Sequence, residues 1–195
     1  MRCLHLSNKI KNMSEEKTLI VLKPDAVKRG LVGEILSRFE KAGLKIMSLK
    51  GLIISEEMAL KHYGYNEEWF EKVGQKVREF YQKVGFDQGE EFNKLNNKEI
   101  GKLIQKWNVD YLTEGMVIAA ILKGHKAVEI VRKIVGTTYP SEAFPGTIRG
   151  DYSVESPLSA NLQQRAVRNL IHASGSIEEA ELEIELWFKK EEIYE

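Results

Sequence analysis

Four apolar stretches stand out along the chain, and each has the pattern of a β-strand. Residues 18–22 form a continuous, partly β-branched run, which is typical of a central strand covered on both faces. Residues 44–54 alternate enough to predict a second strand, and residues 115–122 form another continuous run. The fourth stretch is short and ends at His172, directly before small residues where the backbone can turn.

Most of the intervals between these predicted strands carry apolar residues at helical spacing. Residues 25–42 predict a short turn and a helix closed by Gly43, and a helix capped by Ser55 follows. Residues 125–135 predict a helix with a basic last turn, and Ser176 caps a final helix that begins with carboxylates.

Two further intervals extend this pattern. Residues 66–109 are charged and dotted with aromatic residues, which indicates an inserted pair of helices, 67–83 and 97–111. Residues 136–166 hold three of the four prolines and predict a long structured loop, extended at about 152–164. The order of elements predicts an α/β fold, a ferredoxin-like βαββαβ sandwich with an antiparallel four-stranded sheet, a helical insertion and a C-terminal helix.

The length of 195 residues fits one domain, which we place at 17–195. We expect residues 1–16 to be a disordered extension, since they lack a sustained apolar segment and a natural start lies at Met13. Cys3 is the single cysteine, which excludes an internal disulfide framework and favours a reducing, cytoplasmic location. No apolar run approaches the roughly 18 residues that a membrane span needs.

Charge narrows the classes of partner. Lys plus Arg and Asp plus Glu both number 29, so the net charge is zero and any anion site must be local. Neutral charge without an aromatic and basic stripe argues against nucleic-acid binding. The commonest nucleotide and zinc motifs, the Walker A loop, the GxGxxG turn and the HExxH helix, are absent from the sequence.

Several residues could carry chemistry. A carboxylate from the last helix could orient His172 and leave its second ring nitrogen as a nucleophile, although a lone histidine beside apolar residues is more often structural. Lys23 ends the first strand, where it either holds an anion or is solvated. Arg149 lies near two glycines and could clamp a phosphate, with Thr138 on the same loop, although turn chemistry alone explains this loop equally well. Arg132, taken alone, reads as a surface charge.

These residues occur in five motifs whose order and surroundings are specific. They are TLIVLKPD at 18–25, His62-Tyr63, PGTIRGD at 145–151, Asn169-x-x-His172-x-Ser174 and EIxLWF at 183–188. From about residue 17 to residue 188 the chain closely resembles nucleoside diphosphate kinases.

The resemblance implies a ping-pong phosphoryl transfer. His172 takes the γ-phosphate of ATP or another nucleoside triphosphate and passes it to a nucleoside diphosphate. Lys23, Arg132 and Arg149 would surround the phosphate together with Mg²⁺, which the nucleotide phosphates hold without a direct protein ligand.

The remaining site roles also follow from the resemblance. Glu183 resembles the carboxylate that orients His172, with Ser174 bridging between them. Tyr63 resembles a tyrosine that hydrogen-bonds near the transferred phosphate. Asn169 would contact the sugar hydroxyl and Thr138 a phosphate.

The sequence also departs from the family pattern. The insertion changes the region that supplies the aromatic residue stacking on the base. Trp69 is the first candidate for this role and Phe70 is the alternative. The longer loop at 152–164 affects a region that often helps to build the oligomer, which we expect to be a hexamer or another trimer- or dimer-based homo-oligomer. Gly175 replaces the usual acidic residue after the histidine, which predicts reduced or retuned activity at worst.

An alternative function of a different class follows from the insertion. The chain would then be a catalytically weak nucleotide sensor or scaffold whose inserted helices bind a protein partner. A solvated helical pair on the rim of the domain explains the same charge pattern more simply.

Overall fold

A four-stranded antiparallel sheet forms the centre of the fold. The computed structural model describes residues 15–85, 87 and 89–194. Its strands are β1 (Glu15–Leu22), β2 (Lys45–Leu52), β3 (Val117–His125) and β4 (Ile171–Ala173). They lie in the order β2-β3-β1-β4, and every neighbouring pair is antiparallel. This confirms the predicted ferredoxin-like fold class.

Helices connect the strands and cover both faces of the sheet. Within the described residues they are α1 (Pro24–Lys28), α2 (Val32–Lys41), α3 (Glu56–Tyr63), α4 (Glu67–Val84), α5 (Glu90–Lys94), α6 (Asn97–Thr113), α7 (Ala127–Val135), α8 (Ile148–Tyr152), α9 (Pro157–Leu162) and α10 (Ile177–Trp187). Short 3₁₀ turns lie at Pro140–Glu142 and Lys190–Glu192. In this described part of the chain, no helix is long and apolar enough to cross a membrane.

Several predicted boundaries need correction. β1 begins at Glu15, which pairs with His125, so the strand takes in the last two residues assigned to the extension. Residues 1–14, with Cys3, lie outside the described residues. The insertion holds the short helix α5 besides the predicted pair, and α6 continues to Thr113. The strand predicted to end at His172 extends one residue further, to Ala173.

The capping residues read from the sequence are confirmed. The Ser55 side chain accepts a hydrogen bond from the backbone N–H of Met58, and the Ser176 side chain accepts one from that of Glu179. These caps fix where α3 and α10 begin, and both helices carry residues of the site described below.

Alternation along β1 divides the core between the two faces. Ile20 and Leu22 pack on one side, under α2 and α7, whereas Leu19 and Val21 pack on the other side, under α3, α6 and α10. All four side chains are fully buried, and burial of each stabilises the fold by about 1.5–3 kcal/mol. Because Val21 lies opposite His172 in the β1–β4 ladder, His172 points toward the side of α3 and α10.

Two glycines allow the inserted helices to pack closely. A Cβ atom at Gly74 of α4 would overlap the backbone of Asn97, and one at Gly101 of α6 would overlap the backbone of Phe70. Backbone cannot move aside as a flexible side chain can, so both positions require glycine.

We expect Gly74→Ala to destabilise the protein by about 1–3 kcal/mol, because the added methyl group forces α4 and α6 apart. Gly33→Ala is the matched control, since Gly33 lies in helix α2 with nothing within 4 Å of its added Cβ atom. Its free energy of unfolding should stay the same or rise by up to about 1 kcal/mol. Urea denaturation at one protein concentration measures both, and equal effects would contradict the packing argument.

Candidate active site

His172 lies in the middle of β4. Its neighbours Ile171 and Ala173 are buried in the core beneath α2 and α7, so alternation directs the imidazole to the opposite face. The side chain is 19% exposed. The short strand therefore holds the ring firmly while one edge remains open to solvent.

A strained turn at Leu170 directly precedes this strand. Leu170 is fully buried and has a φ of +70°, which a non-glycine residue rarely adopts. The N–H of Ile171 donates to the carbonyl of Asn169 at 2.8 Å, which closes a γ-turn of the less common, positive-φ kind. Such strain costs about 1–3 kcal/mol and persists only where neighbouring groups hold it.

Arg149 is the main group that holds this turn. Its guanidinium is buried and donates to the carbonyls of Asn169 and Ile171, on either side of Leu170, at 3.1 and 2.6 Å. It also donates to the carbonyls of Gly136 and Thr137 at 3.1 and 2.9 Å. Four of its five N–H groups are thus used, whereas the sequence predicted that this side chain clamps phosphate in two places.

Glu183 orients the imidazole of His172. Nε2 of His172 lies 2.7 Å from Oε1 of Glu183, although its N–H is not aimed well enough to count as an aligned hydrogen bond. The Ser174 hydroxyl donates to the other oxygen, Oε2, at 2.6 Å. Glu183 therefore lies between Ser174 and His172, and the predicted bridging position of Ser174 is wrong. Nδ1 of His172 is the ring nitrogen that Glu183 leaves free.

Two residues to which the sequence analysis assigned no role complete this cluster. His62 of α3 packs edge-on against His172, with ring centroids 4.4 Å apart, and its Nδ1 lies 3.5 Å from Oε1 of Glu183. The Trp187 indole donates to the same Nδ1 at 3.2 Å. Helical spacing could have pointed to Trp187, since it lies four residues after Glu183 on one face of α10. His62 offered only its place beside Tyr63 in a motif.

His62, His172 and Glu183 also bring three atoms that could ligate a metal within 4.8 Å of one another. Hydrogen bonds already use Nδ1 of His62 and Oε2 of Glu183, and Oε1 contacts His172. These contacts leave few of the cluster's ligand atoms available to a metal and surround the imidazole of His172.

Lys23 approaches the same end of the sheet from β1. It is buried, and its Nζ donates to Oδ1 of Asn169 at 2.8 Å and lies 4.9 Å above the Tyr111 ring. The Asn169 side-chain N–H₂ donates to the carbonyl of Thr138 at 3.1 Å. Lys23, Asn169 and the loop at Thr138 are thus joined in one chain of hydrogen bonds, as expected for residues of one site.

Arg132 and Thr138 lie at the open side. The Arg132 side chain is exposed and donates to the carbonyl of Ala173 at 3.4 Å, one residue from His172. Thr138 is exposed as well. Both therefore have donors available to a ligand on the open side of the site.

The aromatic candidates form a stack that leads away from His62. Tyr63 stacks on Tyr65, and Tyr65 stacks on Trp69 with ring centroids 3.4 Å apart. Trp69 remains partly exposed, whereas Phe70 is 7% exposed within the insertion. Phe70, the alternative for base stacking, has therefore no open face for a base. The Tyr63 hydroxyl is buried without a hydrogen-bond partner among the described residues.

Burial sets the charge states of the central groups. Burial and the nearby Lys23 ammonium lower the pKa of His172 to about 3, so the imidazole is neutral near pH 7. Burial and then the Arg149 charge lower the pKa of Lys23 to about 7, against the opposing effect of Asp25. Burial lowers the pKa of Arg149 to about 10, so its guanidinium stays charged. Burial also raises the pKa of the Glu183 carboxyl.

Comparison with known proteins shows the family of this chain. The model of the family "Nucleoside diphosphate kinase" matches residues 16–83 and 68–193. A nucleoside diphosphate kinase of Pyrobaculum aerophilum is 52% identical over 183 residues, which are 94% of this chain and all of the relative. One of Pyrococcus furiosus is 43% identical over 180 residues, 92% of this chain and 87% of the relative.

Solved structures agree with these sequence relatives. An NDP kinase from Pyrobaculum aerophilum superposes with a TM-score of 0.89 at 50% identity, over 93% of this chain and 100% of the other. A nucleoside-diphosphate kinase from Borrelia burgdorferi, solved as a transition-state mimic with vanadate and ADP, gives a TM-score of 0.74 at 33% identity, over 94% and 93%.

The two arginines of the site should differ sharply in their effect on stability. Arg149→Lys replaces a planar donor with a compact ammonium that cannot reach all four carbonyls of the two chain segments, and we expect a loss of roughly 2–4 kcal/mol. Arg132→Lys removes one long hydrogen bond at the surface and should change stability by less than about 0.5 kcal/mol. Urea denaturation tests both variants, and an equal loss in the two would refute the role given to Arg149.

Proposed function

Because the chain belongs to the nucleoside diphosphate kinase family, we propose that His172 carries the phosphoryl group in its reaction. The protein is a phosphotransferase that passes the γ-phosphate of a nucleoside triphosphate to a nucleoside diphosphate by a ping-pong mechanism. The close contact between His172 Nε2 and Glu183, which leaves Nδ1 as the free nucleophile, is the observation that supports this assignment.

In the first half-reaction, the lone pair of Nδ1 attacks the γ-phosphorus. The bond from that phosphorus to the bridging oxygen breaks, and the nucleoside diphosphate leaves with the electron pair. An acceptor diphosphate then attacks the phosphohistidine, and the imidazole leaves as the neutral ring. A low histidine pKa suits both steps, since Nδ1 carries no proton that must first be removed.

Cations of the site complement the charge that develops on the phosphoryl oxygens. Lys23, Arg132 and the one unused N–H of Arg149 would donate to these oxygens. The carboxylates of the site already have partners. Glu183 contacts Ser174 and His172, and Asp25 accepts a hydrogen bond from Tyr111. This arrangement fits a metal ion that has no direct protein ligand. Mg²⁺ bound to the nucleotide phosphates would neutralise part of their charge.

The nucleotide would lie along the open side of the site. Thr138 and Asn169 would contact phosphate and sugar hydroxyl, respectively, and the unpartnered Tyr63 hydroxyl is free to donate near the transferred group. Trp69 has one face covered by Tyr65, and its partly exposed ring is the better candidate for base stacking. Stacking without base-edge hydrogen bonds would explain acceptance of several bases.

Exposed apolar residues support a homo-oligomer, a hexamer or another trimer- or dimer-based assembly. Leu49 and Ile53, on and just after the edge strand β2, are 50% and 75% exposed, and Phe144 and Val154 of the long loop are 77% and 92% exposed. The single cysteine of the chain suits a cytoplasmic location.

Labelling with γ-labelled ATP tests the nucleophile. The native protein with Mg²⁺ should acquire label that is lost in acid, survives base and leaves as GTP on addition of GDP. His172→Asn should abolish labelling and transfer, yet bind ADP nearly as well, because the asparagine lacks the nucleophilic nitrogen.

The exposed His125, at the far end of β3, provides the control. His125→Asn should label as the native protein does. Stable label on the His172→Asn variant, or no label on native protein that binds ATP, would overturn the assignment.

Lys23 should make ADP affinity depend on pH. The free protein loses the Lys23 proton near pH 7, whereas bound phosphate favours the protonated form, so affinity falls as the pH rises above 7. From pH 7.5 to 8.5, where terminal phosphates with a pKa of about 6 are already ionised, we expect a loss of about fivefold. Lys23→Met should bind more weakly with no such slope in titration calorimetry, and an equal slope in both proteins would contradict this linkage.

A further inference from the structure

Tyr111, on the last turn of α6, makes three contacts at the base of the site. It is 4% exposed, and its hydroxyl donates to Oδ1 of Asp25 at 2.5 Å. The Tyr111 hydroxyl oxygen also accepts a hydrogen bond from the backbone N–H of Asn169 at 3.2 Å. The face of the ring lies 4.9 Å from Nζ of Lys23.

Both groups that this hydroxyl joins act on Lys23. Asn169 accepts a hydrogen bond from Nζ, and the buried Asp25 carboxylate favours the charged ammonium against the effect of burial. Without the hydroxyl, Asp25 and the Asn169 N–H would each lose a buried hydrogen bond. Both would be free to move or to admit water, and the ammonium would lose its fixed place.

We propose that Tyr111 is a positioning residue for phosphoryl transfer, which holds Lys23 in place through Asp25 and Asn169. This inference rests on the role proposed above for Lys23. Tyr111 is the last residue of the second predicted inserted helix, 97–111, which the structure extends to Thr113 as α6. The inserted region thus supplies a buried phenol to the site, although it carries none of the predicted phosphate ligands.

The packing behind Tyr111 supports this role. Tyr111 clusters with Trp107 of α6 and Ala166 of the long loop, both nearly buried. This packing restricts the ring, and its hydroxyl is held by Asp25 and the Asn169 N–H. A phenol held in this way can keep two partners in register, as a preorganised site requires.

The test is a double-mutant cycle with Lys23→Ala and Tyr111→Phe. In the otherwise native protein, Tyr111→Phe should lower kcat about tenfold and change KM by less than about threefold, since charge stabilisation is lost mainly in the transition state. In the Lys23→Ala background the same change should lower kcat by less than about twofold, because the group on which it acts is gone. Each rate is divided by the amount of phosphoenzyme that forms, so loss of folded protein does not enter.

Tyr152→Phe is the matched control. The Tyr152 hydroxyl also donates to a carboxylate, that of Glu34, and accepts an N–H from Arg38, but it has no contact with Lys23. Its removal should leave kcat unchanged. If Tyr111→Phe does not fold, Asp25→Asn takes its place in the cycle, since it removes the charge and keeps an acceptor for Tyr111.

The outcomes separate the two proposals. Native kcat in Tyr111→Phe, or a tenfold loss that persists in the Lys23→Ala background, would overturn the role of Tyr111 alone. If Lys23→Ala itself leaves turnover unchanged, the assignment of Lys23 to the site is wrong, and the inference about Tyr111 fails with it.

Discussion

The guanidinium of Arg149 holds together the backbone on which the site is built. It joins the loop at Gly136 and Thr137 to both sides of the strained turn at Leu170. That turn brings Asn169 under Lys23 and starts β4 in the register that places His172 opposite Val21. A charged group that is 8% exposed is tolerated there because carbonyl oxygens satisfy four of its N–H groups.

The same constraint shapes the electrostatics. Holding Lys23 and Arg149 out of water near His172 lowers the pKa of all three groups, and the consequences differ. The imidazole becomes reliably neutral, Lys23 is poised near neutral pH, and Arg149 keeps its charge. In the proposed reaction, an incoming phosphate would therefore meet a neutral nucleophile beside cations whose charge is poorly solvated, and it would restore to those cations the interactions that burial removed.

The sequence predicted the fold, and most of the residues that it singled out lie together in the candidate site. The reasons why other predictions failed are physical. Periodicity and capping residues located the strands and helices. Both depend on one segment alone, since they reflect which side chains are buried and how the backbone N–H groups at a helix start are hydrogen-bonded. The distribution of hydrogen bonds in the site depends on contacts between segments. Ser174 was thus expected between Glu183 and His172, and Arg149 was expected to clamp a phosphate in two places, although four of its N–H groups bind backbone carbonyls. The partner of a donor cannot be read from its residue type. Trp187 and His62 were missed for the same reason.

Phe70 and Tyr111 show how the insertion joins the rest of the fold. The α4–α6 contact through Gly74 and Gly101 is close enough to bury Phe70, which removes it from any contact with a base. The end of α6 then packs against Leu19, Val21 and the C-terminal helix through Leu112, while Tyr111, one residue earlier, reaches Asp25 and Asn169. Tyr111 and Leu112 thus contact the site and the core, respectively, from one helical turn. A change in the length or tilt of the insertion would therefore alter the proposed positioning of Lys23 as well as the packing of the sheet.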